Sequence, residues 1–441
     1  MPKYYIWTIG CQMNKADSDC MANYLEHSGY SRTEMADEAE VILLNSCVVR
    51  QNAEDKVINK LNSLRGLKRR SPGAVIALTG CMVGSEIDDL SKRFPWVDLF
   101  FRPQQWEVFF QWAGSHGLGG ADNKGFITPH RLPVSELIPI MHGCDSFCSY
   151  CVVPYRRGRA KSRDLHEICC QVEALVQRGV KEVTLLGQIV DSYGLDLPSR
   201  PDLADLLTEL NKIEGVLRIR FLTNHPNYMS HKLIQAVAGL EKVCEYISLP
   251  VQAGDNEVLK AMRRGYTVEH YYDLVGQIRG TIPDVSLSTD VIVGFPGETE
   301  EQFARTLDIL RQIRFDKVHI AAYSPRPETI AFRKLDDNVS SERKELRRLQ
   351  TEAVQQRIAA EINADFVGKI VEVLVEGRKK DKWQGRTRGD KLVFFTGSDS
   401  LVGQLVMVRV EKTSAFALQG VPEEKIKNPV VGRSSCPGTP S

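Results

Sequence analysis

Six of the eleven cysteines fall into two sets of three, and the first set restricts how the N-terminal part can fold. Cys11, Cys47 and Cys81 lie at similar intervals, and each follows a short apolar, strand-like run. The second set is a compact Cys-x3-Cys-x2-Cys motif that begins at Cys144. Three protein ligands leave one coordination position of a metal or cluster open for a small molecule, whereas four close it. The two sets therefore indicate two sites for chemistry.

The first set belongs to a pattern of alternating strands and helices. Parallel strands joined by helical crossovers bring every C-terminal strand end to one edge of the sheet, and open α/β sheets bind ligands at that edge. We therefore predict that the three cysteines converge there. The predicted elements are, in order, strand 4–9, helix 17–28, strand 41–45, helix 52–69, strand 74–79 and helix 85–93.

Composition excludes some classes of protein. A hydrophobic content of 42% and a charged content of 26% are typical of a soluble globular protein. The net charge of +1 means that any surface for nucleic acid must be local. We find no apolar run of about 18 residues and no signal-peptide pattern, so we expect a cytoplasmic protein with no membrane contact and with reduced cysteines. We also expect a monomer.

A second α/β segment follows a Gly-rich linker at 114–131. About six β/α units predict a full or partial β/α barrel, and the compact motif directly follows the first barrel strand, at the mouth where active sites form. The predicted barrel strands are Leu137–Met141, Glu182–Gly187, Val216–Phe221, Glu245–Pro250, Val285–Gly294 and Lys317–Tyr323.

After Phe366 the pattern changes to five short strands with Gly turns, which predicts a small antiparallel β-barrel of OB-like character. The predicted domain organisation is an N-terminal open parallel sheet at 3–118, a central partial β/α barrel at 130–362, the small barrel at 365–425 and a disordered tail at 426–441.

The compact motif resembles that of the radical S-adenosylmethionine superfamily. The resemblance implies that Cys144, Cys148 and Cys151 bind three irons of a [4Fe–4S] cluster. It also implies that the fourth iron binds S-adenosylmethionine, from which an electron releases a 5′-deoxyadenosyl radical. Tyr150 matches the aromatic residue that usually lies against the adenine. Considered alone, the motif leaves a zinc site or a purely redox cluster open.

The surrounding segments, in order, resemble the MiaB-type methylthiotransferases, and the resemblance runs from about residue 3 to 422. It implies an auxiliary [4Fe–4S] cluster on the first cysteine set and a TRAM domain, an RNA-binding module, at the C-terminal barrel. The segments that carry it are Gly-Cys-Gln-Met-Asn (10–14), 142–155, 156–163, Leu-Leu-Gly-Gln-Ile-Val-Asp-Ser-Tyr-Gly (185–194), Leu-Pro-Val-Gln-Ala-Gly (249–254), Arg-Arg-Gly-Tyr-Thr (263–267), 290–299 and Tyr-Ser-Pro-Arg-Pro (323–327).

The resemblance implies a reaction with two clusters and S-adenosylmethionine. One cluster makes a radical that removes hydrogen from a C–H bond, and the auxiliary cluster delivers the sulfur. The implied substrate is an isopentenyl-type adenosine at position 37 in the anticodon stem-loop of tRNA, and the implied product is its 2-methylthio derivative. An electron donor such as flavodoxin or ferredoxin is also required. If this division of labour holds, the two cysteine sets must face each other with the target base between them.

Other residues are candidates for binding. Gln188, Gln252 and Asp290 lie at or near barrel strand ends and could bind the polar groups of S-adenosylmethionine, although buried, satisfied side chains are the alternative. The predicted RNA-binding residues form two basic groups that suit phosphate contact, although a solvated charge run is the alternative for the first group and Trp383 beside the second suits a core as well as a stacking role. They are Arg156, Arg157, Arg159 and Arg163 after the compact motif, and Arg386, Arg388 and Lys391 in the small barrel.

The chain departs from the usual MiaB pattern at Ile189, Asp191 and Glu328, where that pattern has Asn, Asn and Gly. Sister families act on a threonylcarbamoyladenosine of tRNA or on a ribosomal protein, but Gln12-Met13-Asn14 favours the isopentenyladenosine enzyme. A non-catalytic iron–sulfur or zinc RNA-binding protein is the alternative of another class.

Overall fold

The computed structural model describes residues 1–48, 51–84, 87–103, 105–117, 134–397 and 400–423. The predicted disordered tail and most of the predicted linker lie outside these ranges. The chain divides into two compact units, Met1–Ala359 and Ala360–Ser441. No helix among the described residues is long and apolar enough to cross a membrane.

The N-terminal part is a five-stranded, wholly parallel sheet of order β2-β1-β3-β4-β5. Its central strand is buried along its whole length, because α2 packs on one face of the sheet and α1 and α4 pack on the other. The elements are β1 (Lys3–Thr8), α1 (Gln12–His27), β2 (Ser31–Arg32), β3 (Val41–Ser46), α2 (Gln51–Arg70), β4 (Val75–Gly80), α3 (Ile87–Arg93), β5 (Leu99–Phe100) and α4 (Trp106–Ser115).

The central part is a partial β/α barrel of six parallel strands in two sheets, β10-β9-β6 and β11-β12-β13, joined by a single bridge from Ile219 to Val243. The elements are β6 (Ser135–Pro139), β7 (Met141–His142), α5 (Val153–Arg157), β8 (Lys161–Ser162), α6 (Leu165–Gln177), β9 (Glu182–Leu186), α7 (Leu203–Lys212), β10 (Arg218–Phe221), α8 (His231–Gly239), β11 (Tyr246–Ser248), α9 (Asn256–Ala261), α10 (Val268–Thr281), β12 (Ser286–Val293), α11 (Glu300–Ile313), β13 (Lys317–Ala322), α12 (Ile330–Lys334) and α13 (Ser341–Ala364).

The second unit contains a closed five-stranded barrel of order β14-β15-β16-β18-β17. Four of its strand pairings are antiparallel, as predicted, whereas β16 and β18 pair in parallel. Its strands are β14 (Ile370–Lys379), β15 (Lys382–Arg386), β16 (Leu392–Phe395), β17 (Leu405–Thr413) and β18 (Leu418–Pro422).

The predicted fold class is confirmed, with two short strands and one helix of the N-terminal part missed. Strands β2 and β5 have only two residues each, and so short a segment cannot show an alternating apolar and polar pattern. Helix α4 has the strongly apolar sequence Trp-Glu-Val-Phe-Phe-Gln-Trp, and its last residues overlap the start of the predicted linker.

A buried ion pair joins α13 to the barrel. Both Arg347 and Glu298 are almost fully buried, and Arg347 Nη1 lies 2.8 Å from Glu298 Oε2. The same carboxylate oxygen accepts a hydrogen bond of 2.6 Å from the Gly294 amide. Burial is the main cause that raises the pKa of Glu298 to about 6, and Arg347 opposes the shift. Removing the cation would leave the carboxylate buried without a counter-charge.

We expect Arg347→Met to destabilise the protein by about 3–5 kcal/mol, because breaking a buried pair costs the desolvation of the remaining charge. The matched control is Arg348→Met on the next position of the same helix, whose ion pairs with Glu345 and Glu352 are partly exposed. It should cost at most about 1 kcal/mol. Thermal unfolding of both variants measures the difference, and equal melting temperatures would contradict the prediction.

Candidate active site

The first cysteine set lies at one edge of the N-terminal sheet, as the topology predicts. Strands β1, β3 and β4 are adjacent and in register, with Thr8 opposite Asn45 and Asn45 opposite Thr79. All three strands therefore end at the same level. Cys11, Cys47 and Cys81 follow these ends within three residues, and the other two thiols are among the groups that act on the Cys81 thiol.

Two glycines allow this close approach. A side chain on Gly80 would place its Cβ 2.2 Å from the Ser46 carbonyl oxygen, and Gly80 has a φ of 93°, which favours glycine. A Cβ on Gly10 would lie 3.0 Å from Cβ of Cys47. The Gly-Cys pairs at 10–11 and 80–81 therefore bring the strand ends together.

Asn14, at the start of α1, ties the same edge together. Its Nδ2 donates to the Ile9 and Ser46 carbonyl oxygens, at 3.1 and 2.8 Å. Its Oδ1 lies 3.6 Å from Sγ of Cys11. One buried amide thus links two of the cysteine-bearing segments.

The compact set lies in a loop after β7. The amide of Ser146 lies 3.5 Å from Sγ of Cys144, and Nη1 of the buried Arg264 lies 3.4 Å from Sγ of Cys148. Ser149 fixes the loop to the barrel because its hydroxyl donates to the Ala261 carbonyl oxygen at 2.7 Å. Hydrogen-bond donors beside these sulfurs, one of them cationic, suit thiolate ligands. Tyr150 is packed against the barrel core and interacts with Arg264.

Helix α5 carries two consecutive arginines from the compact set into the N-terminal part. Nη2 of Arg157 donates to Oδ1 of Asn14 at 2.8 Å and to Oδ2 of Asp17 at 2.9 Å, and its side chain is only 2% exposed. The predicted phosphate contact at Arg157 is therefore wrong, because its guanidinium is enclosed by protein. Arg156 packs on Gly84 and pairs with Glu328 at 3.3 Å.

One cavity of about 380 Å³ is lined by residues that neighbour cysteines of both sets. Val48, Met82 and Val152 line it, and they directly follow Cys47, Cys81 and Cys151. Val152 also packs in the same hydrophobic cluster as Met82. The remaining lining residues are Glu54, Gly84, Asp89, Leu90, Arg93, Arg156, Arg326, Pro327 and Glu328.

Arg326 is a functional candidate that the sequence analysis did not single out. It is 4% exposed, and its Nη1 pairs with Glu54 Oε2 at 2.7 Å. Its Nε and Nη2 are buried without a hydrogen-bond partner. Buried donors of this kind are expensive to leave unpaired, so they indicate a missing acceptor. The Tyr-Ser-Pro-Arg-Pro segment was the available signal.

Unpaired amide atoms also gather at the mouth of the barrel. Gln188 follows β9, Asn224 follows β10 and Gln252 follows β11. Oε1 of each glutamine and Oδ1 of Asn224 are buried without a hydrogen-bond partner. A polar ligand at the mouth would satisfy them. Asn224 was missed because no motif marked it.

Asp290 and Asp191 are also at this end of the barrel. Asp290 lies on β12, and its backbone carbonyl oxygen accepts a hydrogen bond of 2.9 Å from the backbone N–H of Gln252. Burial raises the pKa of Asp191 to about 7, and its carboxylate accepts from the His225 amide at 3.0 and 3.1 Å. An Asn at 191 could accept the same bond, which explains why this departure from the usual pattern fits the fold.

The remaining predicted RNA-binding residues differ in access. Arg159 is 74% exposed beside Asp145, while Nη1 of Arg163 is bonded to the Pro139 carbonyl and to Gln171. In the small barrel, Arg386 pairs with Glu376 and Asp390, and Arg388 is half-buried.

One further predicted phosphate contact of the small barrel is wrong, and Trp383 has one of the two roles that the sequence left open. Lys391 is buried with its ammonium 5.8 Å from the centre of the Phe366 ring, so it does not belong to an exposed phosphate surface. Trp383 is 4% exposed within the barrel core, so it is not a stacking platform.

The donor chemistry fits two iron–sulfur clusters. Among the described residues, no three Cys, His, Asp or Glu side chains are grouped to bind a single metal ion. A four-iron cluster needs a wider triangle of sulfurs, because each thiolate binds a different iron.

Family models match three parts of the chain. They are an uncharacterized protein family, UPF0004, at residues 3–102, the radical SAM superfamily at 138–310 and the TRAM domain at 365–422. In fold, the chain resembles the radical S-adenosylmethionine methyltransferase TsrM from Kitasatospora setae, with a TM-score of 0.54 at 15% identity over 75% of this chain and 74% of that one. The fold and the compact motif together define a radical SAM protein.

Curated relatives narrow the class. A tRNA-2-methylthio-N(6)-dimethylallyladenosine synthase of Dehalococcoides mccartyi is 52% identical, over 95% of this chain and 98% of the relative. Proteins of the same name from Roseiflexus sp. and Thermoanaerobacter pseudethanolicus are 49% and 42% identical, over 95% and 96% of this chain and 89% and 93% of the relatives. The chain belongs to the family of tRNA-2-methylthio-N(6)-dimethylallyladenosine synthases, which confirms the predicted family.

The thiols should differ in reactivity in the protein without clusters. Burial raises the pKa of Cys81 to about 11 and that of Cys151 to about 12, whereas Cys11 is exposed. At pH 8 the thiolate fraction of Cys81 would be on the order of one in a thousand. Anaerobic alkylation with iodoacetamide, followed by peptide mass spectrometry, should therefore modify Cys11 first and the other two much more slowly. The exposed Cys170 is the internal control, and equal rates for all four would contradict the prediction.

Proposed function

We propose that this protein is a methylthiotransferase that converts an isopentenyl-type adenosine at position 37 of tRNA to its 2-methylthio derivative. It would use S-adenosylmethionine and two [4Fe–4S] clusters, one on Cys144, Cys148 and Cys151 and the other on the first cysteine set. The observation that carries the proposal is a cavity lined by residues that directly follow cysteines of both sets. Membership of the synthase family supports the substrate.

When bound, the two clusters and S-adenosylmethionine would supply the radical and the sulfur for C–H methylthiolation. The chain's own residues bind and orient these groups. The Gln188, Asn224 and Gln252 amides offer unpaired polar atoms for the ribose, methionine or adenine of S-adenosylmethionine. Tyr150 and Asp290 complete the proposed contacts.

The cavity suits a substituted purine. Its positive side chains, Arg93, Arg156 and Arg326, are matched in number by acidic ones, Glu54, Asp89 and Glu328. A balanced cavity favours a neutral ligand over a phosphate. The apolar side chains of Val48, Met82, Leu90 and Val152 could pack against an isopentenyl group, and the unpaired Arg326 donors could bind ring nitrogens of the base.

The remaining parts of the proposal concern partners and organisation. The exposed Arg159 and the partly exposed Arg386 and Arg388 could contact phosphates of the anticodon stem-loop. Arg156, and Arg163 through the part of its guanidinium that Pro139 and Gln171 leave open, would act closer to the site. We also propose flavodoxin or ferredoxin as electron donor, a monomer, a cytoplasmic location and domain limits of 3–118, 130–362 and 365–425.

The direct test reacts the reduced, reconstituted protein with S-adenosylmethionine and tRNA that carries isopentenyladenosine. We expect about eight irons per chain, of which four are lost when either cysteine set is replaced by Ala. We also expect 5′-deoxyadenosine and a 2-methylthio nucleoside, measured by mass spectrometry of the digested tRNA. Replacing the compact set should abolish deoxyadenosine, whereas replacing the first set should preserve deoxyadenosine and abolish methylthiolation.

The same experiment separates the alternatives. In the same reaction, tRNA that carries threonylcarbamoyladenosine should remain unmodified. Methylthiolation of that tRNA would instead assign the sister reaction. Four irons per wild-type chain, or no deoxyadenosine on reduction, would contradict the two-cluster enzyme and favour a non-catalytic iron–sulfur protein.

Arg326→Gln should weaken use of the substrate, because it removes the unpaired donors in the cavity. We expect kcat/KM for the modified tRNA to fall about 10–100-fold, the range for losing one or two charged hydrogen bonds. Formation of deoxyadenosine without tRNA should not change. Arg333→Gln, on the partly exposed α12, is the control and should retain wild-type kcat/KM. A fall of less than twofold in the first variant would contradict the assignment.

A further inference from the structure

Arg157 occupies an unusual position for a residue of a basic run. It follows Cys151 by six residues, on α5, yet its guanidinium lies at the edge of the N-terminal sheet. Its Nη2 has two bonds there, to Oδ1 of Asn14 and Oδ2 of Asp17. Asp17 is itself 3% exposed. Such a buried pair is expensive to build, so it needs a reason beyond stability.

The guanidinium also lies next to the first cysteine set. Its positive charge acts on the Cys81 thiol, opposing the rise in the pKa of that thiol that burial causes. Asn14, which accepts from Arg157, also contacts Sγ of Cys11. The cation is therefore held by Asp17 and Asn14, and the Asn14 oxygen that it bonds also lies 3.6 Å from Sγ of Cys11.

The compact cysteine set also has a buried arginine near it. Nη1 of Arg264 contacts Sγ of Cys148, and Arg264 is held by the Tyr266 hydroxyl and the Pro250 carbonyl. Each set thus has one buried guanidinium close to it. The difference is that Arg264 is oriented by neutral groups, whereas Arg157 is oriented by a carboxylate and comes from the segment that holds the other set.

We propose that Arg157 is a positioning residue of the first cysteine set, whose fixed positive charge beside that set raises the reduction potential of the auxiliary cluster and leaves the other cluster unaffected. The inference rests on the proposed function, because it requires a cluster on that set. Reduction adds a negative charge, which a nearby cation in a dry site stabilises. Asp17 and Asn14 fix the position of the guanidinium at the edge that carries the first cysteine set.

The test uses the full-length protein in two backgrounds. In one, Cys144, Cys148 and Cys151 are replaced by Ala, so that only the auxiliary cluster remains. In the other, the first set is replaced. Iron counting of each background should give about four irons. The midpoint potential of each cluster is then measured by redox titration followed by electron paramagnetic resonance.

We expect Arg157→Gln to lower the midpoint potential in the background that retains the auxiliary cluster and to leave it unchanged in the other. Arg157→Lys, which keeps the charge, should restore most of the potential. Arg157→Gln combined with Asp17→Asn should still show the lowered potential, which separates the effect from that of an unpaired Asp17. Arg264→Gln should give the reverse pattern, with a shift only in the cluster of the compact set.

Three results would overturn the inference. Four irons retained with an unchanged potential in Arg157→Gln would refute it and leave the proposed function intact. Equal shifts of both clusters would show a general structural effect instead. If the first background bound no iron, both the two-cluster function and the inference would fall.

Discussion

The parallel arrangement of strands is the constraint on which the rest of this structure depends. Crossover helices oblige neighbouring strands to run in one direction, so their C-terminal ends meet at one edge of each sheet. In the N-terminal sheet that edge brings together three cysteines that are far apart in sequence, with β1, β3 and β4 in strict register. In the central barrel, the same rule brings together Gln188, Asn224 and Gln252.

Close packing then holds the strand ends of the N-terminal sheet together. Gly80 lets the end of β4 lie against the Ser46 carbonyl, and Asn14 bonds two of the segments that carry cysteines. Helix α5 extends the network across the chain, because Arg156 and Arg157 leave the compact motif and enter the N-terminal part. Segments next to the two cysteine sets are therefore in contact, and residues that follow cysteines of each set line the same cavity.

This arrangement gives a physical reason for the two kinds of polar group in the site. Groups already paired, such as Arg157 with Asp17, hold the protein's own parts in place. Groups left unpaired in buried positions, such as Arg326 Nε and Gln252 Oε1, have a desolvation cost that a ligand would recover. The distinction separates positioning residues from candidate binding residues, although both kinds are arginines or amides in the sequence.

The sequence by itself determined the alternation of elements, the strand ends at which the cysteines lie and the family, because these depend on local periodicity and on motif order. The sequence could not determine which individual side chains are buried or which partners they have. Arg157 belongs to a basic run that suits phosphate, and only the packing of α5 against the N-terminal sheet makes it a buried partner of Asp17. Lys391 and Trp383 likewise became core residues when the barrel closed. The cavity and the unpaired Arg326 donors depend on contacts between segments hundreds of residues apart, such as Arg326 with Glu54, which no local pattern encodes.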